Sequence, residues 1–203
     1  GGFLVHNVPL WFLPCLFVVE VLYYIIDHLP AWANIMRCAV LSSIGSYMIM
    51  QKGWFILLPW SLDGALTVII FYCAGNMLTR RFGLQGIQDF VLKNKWVSVL
   101  GIIILTCIMV YTSQLNKHVS LGMGTIGRNP ALYYANAFMG IISIGLFSIL
   151  VCSIKRDNKV IKAIMDYHLW FGRNSLYIML THVPVKGIII AILARILGKS
   201  LMY

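Results

Sequence analysis

Charge is scarce in this chain. Of 203 residues only 11% are Asp, Glu, Lys or Arg and six are acidic, whereas 60% are apolar. A water-soluble domain carries about 25% charged residues, so a globular aqueous fold is excluded. Paired cysteines are missing too. Cys15, Cys38, Cys73, Cys107 and Cys152 fall singly in apolar segments, with no CxxC and no histidine at metal-ligand spacing. They read as small core hydrophobes, and no metal is expected. There is no internal repeat, low-complexity tract or dinucleotide fingerprint, and the short alternating strands of a membrane barrel are absent as well. The formal charge of +10 is split among loops without a stripe of interleaved aromatics, so nucleic acid is not an expected partner.

What the sequence does contain is long apolar helix. A hydrocarbon core about 30 Å thick takes roughly 20 helical residues. Runs of that length recur here, so the expected fold class is all-α: a polytopic transmembrane bundle of about six spans, each satisfying its own backbone groups. The spans read as residues 9–27, 32–50, 62–79, 96–112, 131–153 and 175–196, forming one membrane domain with no separate soluble one. Trp11, Trp32, Trp60, Trp96, Tyr111 and Trp170 fall near their ends, where amphipathic rings suit the headgroups.

Cations set the orientation. Arg80, Arg81, Lys93 and Lys95 occupy one loop, and Lys155, Arg156, Lys159, Lys162 and Arg173 another. The opposite side holds Lys52, Lys117, Arg128, Arg195 and Lys199. Positive residues stay cytoplasmic, which turns the heavily charged loops inward and both ends of the chain outward. The same cations make anionic membrane lipids expected partners. The chain opens on "GGFLVHNVPLWFL" and stops at "ILGKSLMY", just past a helix end. It is therefore expected to be part of a longer membrane protein.

A charge near the middle of a span costs roughly 3 kcal/mol, so each must pair, face the bundle interior or reach the interface. Glu20 lies about 16 Å along the first span and is expected either to bond a neighbouring helix or to line a substrate path. Arg37, one turn into the second span, either snorkels to lipid phosphate or holds an anionic group. Asp63 at the outer mouth of the third span suits the positive end of a helix, or else contacts a polar substrate. In "NSLYIMLTHVPVKGIII" His182 and Lys186 are four residues apart and share a face, with Pro184 between them. A proline there kinks the helix and frees a carbonyl. The pair serves either as a contact between helices or as part of a pocket.

Two loops add candidates. The outer stretch "SQLNKHVSLGMGTIGRNPALYY" carries His118 and Arg128 and reads as a solvated connector or a lid. The inner stretch "KRDNKVIKAIMDYHLWFGRNSL" aligns Val160, Ile161, Ile164, Met165 and His168, as in a helix lying along the membrane surface.

Taken together, "PLWFLPCLF", "PWSLDGALTVIIFYCAGNML" and "FGRNSLYIMLTHVPV" resemble blocks of the acyltransferase-3 family of bacterial membrane acyltransferases. Within it they are most similar to fucose 4-O-acetylase-like and surface-polysaccharide O-acetyltransferases. The resemblance implies a domain of about ten spans in the cytoplasmic (inner) membrane, of which this chain would lack three at the front and one at the back. It implies acetyl-CoA or another acyl-CoA as donor and a sugar hydroxyl of a surface glycan or lipid-linked sugar as acceptor, with the envelope polysaccharide machinery as a partner. The chemistry would be attack of the hydroxyl on the thioester carbonyl, assisted by a histidine base and an oxyanion-stabilising group. That histidine belongs to the family's first helix. No catalytic base is therefore assigned here, and the chain alone is expected to be inactive. By resemblance His182 lines or supports the pocket, Trp11 with Phe12 and Leu13 serves packing and pocket shape, and Asn174 and Ser175 match the start of the final block, where their side chains could begin the helix. A polytopic transporter or a noncatalytic component of polysaccharide export would show a similar profile.

Overall fold

The computed structural model describes residues 11–27, 30–51, 59–154 and 159–196. They form two compact units. The first contains α1 (Phe12–Ile26), α2 (Ala31–Gln51), α3 (Leu62–Lys93), α4 (Lys95–Asn116) and α5 (Pro130–Cys152), with a small antiparallel ribbon of β1 (Val119–Ser120) and β2 (Thr125–Ile126) between α4 and α5. The second contains α6 (Lys159–Arg173) and α7 (Ser175–Ile196).

The chain is a membrane-embedded all-α protein. Among the described residues α3, α4 and α5 are long and apolar enough to cross a bilayer. A fourth span is α7 if its halves Ser175–Thr181 and Val185–Arg195, bent by 47°, are counted as one. The bend falls at Pro184, where a backbone hydrogen bond is necessarily lost. The expected first and second spans look different. α1 has 15 residues, about 22 Å of helix, and α2 is diluted by Asn34, Arg37, Ser42, Ser43 and Ser46.

In the first unit the helices alternate in direction. At one end Trp11 and Cys15 of α1 lie against Gly64 of α3; at the other Asp27 binds Arg80. α1 and α3 therefore run parallel along their length. Cys15, Val19, Tyr23 and Ile26 on α1 meet Ala65, Ile69 and Cys73 on α3 and Cys38 on α2 in the main apolar core. Their helical spacing gives one buried stripe per helix. Pro14 is tolerated in the first turn of α1, where its missing N–H would have no intrahelical partner.

α2 crosses α3 at Gly45. A Cβ there would stand 2.7 Å from the backbone nitrogen of Thr67, so only glycine permits this approach. The contact is also polar: Ser42 Oγ accepts from the Ile70 N–H at 3.3 Å. The hydroxyl of Tyr134 on α5 lies 2.6 Å from Ser46 Oγ and meets the carbonyls of Ser42 and Thr67 at 2.8 and 3.0 Å. Phe71 packs against Tyr134 and Phe138, and Thr112 bonds Asn136 between α4 and α5.

The charged loop expected after residue 79 is helical. α3 continues through Arg80 and Arg81 to Lys93, interrupted at Gly83 with φ 65° and ψ 157°. Glycine takes that conformation without steric cost, so the membrane-crossing part can end there and a second helical piece begin.

Candidate functional site

Two ends of the first unit carry polar chemistry. They are the ribbon end, near β1 and β2, and the basic end, near Arg80.

At the ribbon end the stretch expected to be a connector or lid is folded around Asn116. This side chain is fully buried. Its amide nitrogen donates to the carbonyl of Ile126 at 3.1 Å, its amide oxygen accepts the Asn129 N–H at 2.7 Å, and its carbonyl accepts the Arg128 N–H at 2.9 Å. Thr125 Oγ1 bonds both backbone groups of Ser120. Asn129 caps α5 by accepting from Ala131, with Pro130 in the first turn, a favoured helix start. The Trp11 ring lies on Gly122, so this candidate is a packing residue that ties α1 to the ribbon.

Asp63 is 5% exposed and its carboxylate accepts the N–H of Gly64 at 2.9 Å. It faces the positive end of α3, the role that helix-end electrostatics give it. Trp60 and Ser61, just before it, have positive φ of 64° and 56°, conformations that cost non-glycine residues of the order of 1 kcal/mol each. His118 and Arg128 are exposed on the ribbon loop.

The basic end has a groove of about 460 Å³ between α1 and α3, lined by Phe17, Glu20, Tyr23, Asp27, Tyr72 and Arg80 together with Val21, Tyr24 and Asn76. A second depression of about 420 Å³ continues from it past Tyr72, Asn76 and Arg80. Arg80 donates to both oxygens of Asp27, at 3.1 and 2.5 Å. Asn34 of α2 adds a bond to Asp27 at 3.3 Å. The Tyr23 and Tyr72 rings pack edge to face at 5.0 Å. The amide oxygen of Asn76 is buried without a hydrogen-bond partner, which costs about 1–3 kcal/mol unless a ligand or water donates to it.

Of the two places open to Glu20, the structure has it exposed on the groove rim and not buried against a neighbouring helix, because the stripe of Cys15, Val19, Tyr23 and Ile26 turns inward and carries Glu20 to one side. Arg37 is exposed on α2 and lies outside the groove lining. The polar groove residues not singled out as site candidates from the sequence are Tyr23, Tyr24, Asp27, Tyr72, Asn76 and Arg80. A signal for them existed: Tyr72, Asn76 and Arg80 follow one another at four-residue spacing, as do Tyr23 and Asp27, so each set lies on one helix face.

In the second unit Asn174 closes α6, its side chain donating to the Trp170 carbonyl at 2.8 Å. Its own carbonyl accepts the Ile178 N–H of α7 at 3.0 Å. Ser175 and Lys186 are exposed. The side chains of His182 and Pro184 lie outside the described residues.

Among the described residues no three His, Cys, Asp or Glu side chains converge as metal ligands would. Arg80, the one cation of the described groove lining, is held by Asp27. The groove thus offers the carboxylate of Glu20 and tyrosine rings rather than uncommitted positive charge, with Asn76 and the paired Asp27 in its wall. Comparison of the chain with protein-family models, with characterised proteins and with solved structures finds no match.

Proposed function

We propose that this chain is part of a membrane O-acyltransferase that moves an acetyl or similar acyl group from acyl-CoA to a sugar hydroxyl, and that the α1–α3 groove receives the sugar. The observation that carries the reading is the composition of the groove lining: Glu20, Asp27, Asn76, Tyr23 and Tyr72 together. The Glu20 carboxylate and the Asn76 side-chain amide can bond hydroxyls, and tyrosine rings supply apolar faces with a polar tip. Such a surface suits a neutral polyhydroxylated acceptor, whereas the phosphates of CoA need free cations. The acyl donor and the catalytic base are accordingly assigned to parts of the protein outside this groove. Of the groove lining, Phe17 falls in the first and Tyr72 and Asn76 in the second of the three blocks that carry the acyltransferase-3 resemblance. With the basic end in the cytoplasm of a bacterial cell, a lipid-linked sugar would enter from the inner leaflet.

The complete protein in liposomes, supplied with radiolabelled acetyl-CoA and a lipid-linked sugar, tests this. Acetylated sugar is expected, and Glu20→Gln or Asn76→Ala should raise the acceptor KM with little change in the donor KM. Loss of donor affinity instead would overturn the placement, and no transfer with any acceptor would overturn the reading.

A transporter is the second reading, favoured by the 47° bend of α7, since broken spans recur where transporters bind substrates. Sugar flux into the same liposomes without acyl transfer would establish it.

A further inference from the structure

Two places in the chain share one construction. Residues 84–93 of α3 lead through Asn94 into α4, and α6 leads through Asn174 into α7. In each, the asparagine side chain turns back to the carbonyl four residues earlier, Phe90 at 3.0 Å and Trp170 at 2.8 Å. In each, its own carbonyl then accepts the first bond of the next helix, from Ser98 at 2.9 Å and from Ile178 at 3.0 Å. One residue therefore ends a helix and starts another, with a basic residue, Lys93 or Arg173, just before it.

The helical pieces before these corners are two-faced. On α6, Lys159, Lys162, Asp166 and Arg173 share one side by their spacing, and Ile164, His168 and Phe171 share the other. In the α3 extension, Leu84, Ile87 and Phe90 share one side by their spacing, opposite Gln85 and Asp89, while Val91 is buried. Leu84 and Phe90 are more than two-thirds exposed, and Ile164, Tyr167 and Trp170 more than half. Tyr167 and Trp170 gather around Phe171 with ring centroids 4.7 and 5.3 Å away.

From this we infer that residues 84–93 and α6 are in-plane elbows that bind anionic phospholipid. Their cations lie at headgroup phosphates and their apolar rows lie at the acyl boundary. The occupant follows from covalent continuity, because each elbow joins an apolar helix after a single residue, α4 long enough to cross a bilayer and α7 so when its two halves count as one, and so is held at the membrane surface. It follows also from charge, because Arg81, Lys93 and Lys95 flank one elbow and Lys159, Lys162 and Arg173 belong to the other, Arg80 being held by Asp27. Amphipathic helices of this composition seat in the interface, and anionic lipid strengthens them. The inference is independent of the acyltransferase reading.

The test is hydrogen exchange of the complete protein in nanodiscs of pure phosphatidylcholine and of equimolar phosphatidylcholine and phosphatidylglycerol. Amides of both elbows are expected to exchange more slowly in the anionic bilayer. Combining Lys159→Gln, Lys162→Gln and Arg173→Gln should abolish the difference in α6 while residues 84–93 keep theirs, each cation accounting for about a fivefold change in lipid binding. Slow exchange of the α4 core amides reports that insertion is intact. If the triple variant fails to insert, Lys93→Gln with Lys95→Gln puts the same question to the first elbow. Equal exchange in the two lipids, or a difference that survives neutralisation, would overturn the inference.

Discussion

Arg80 grips the carboxylate of Asp27 with two parallel hydrogen bonds, joining the end of α1 to α3 just before the break at Gly83. The arginine is 60% exposed and the aspartate 20%, so the pair fixes geometry more than it adds stability.

The expectation for this pair is coupling without much energy. Arg80→Met and Asp27→Asn should each lower thermal stability slightly, and the double variant should be no worse than the poorer single one. Thermal melts of the four proteins in detergent measure it. Additive losses would show that the two residues act separately.

Helix packing is more sensitive. Gly45→Ala puts a methyl group 2.7 Å from the Thr67 backbone, and should destabilise the protein by about 1–3 kcal/mol through separation of α2 and α3. Gly75→Ala, with nothing within 4 Å of its added carbon, is the control. Denaturant unfolding in micelles should separate the two, and equal behaviour would mean that α2 and α3 do not meet so closely.

Removal of Asn116 tests whether the ribbon is a built structure. Asn116→Ala leaves the Ile126 carbonyl and the Asn129 N–H without their partner, a cost of about 1–3 kcal/mol. Residues 117–129 should become susceptible to limited proteolysis while the α4–α5 contact through Thr112 and Asn136 persists. Unchanged cleavage would show that backbone pairing of the ribbon suffices.

Tyr134 ties three helices together through one hydroxyl. Tyr134→Phe removes its contacts with Ser46, Ser42 and Thr67 but keeps the ring against Phe71. Polar contacts between membrane helices average well below their value in apolar solvent, so the expected loss is about 1 kcal/mol, measured by unfolding from bicelles. Tyr134→Leu should cost more, because the aromatic packing goes as well.

Legibility varied with how local the cause was. Asp63 reads from sequence as a helix-end acid because its partner, the N–H of Gly64, is its chain neighbour. Arg80 reads only as a topology signal, because its meaning depends on Asp27, 53 residues away. Glu20 is visible as a costly charge. Whether it is buried or stands on a rim depends on which stripe of α1 turns inward, and that is decided by the fit of Cys15, Val19 and Tyr23 against α3. Asn116 lies in a polar, glycine-rich stretch that looks like open loop, and nothing in its spacing announces that it is buried, since its partners are backbone groups of the same loop.

Composition and run length by themselves determined that this is a helical membrane protein, because sparse charge and long apolar segments leave no other way to satisfy backbone groups in lipid. Spacing also placed the amphipathic face of α6 and the kink at Pro184, both local consequences of helix geometry. Only the tertiary structure decided that α1 and α3 run side by side to form a groove, that Gly45 is a point of close approach, and that Asn116 organises the ribbon. The physical reason is that an apolar helix in lipid has many nearly equivalent faces, and the choice among them rests on steric fit and a few hydrogen bonds between residues far apart in the chain.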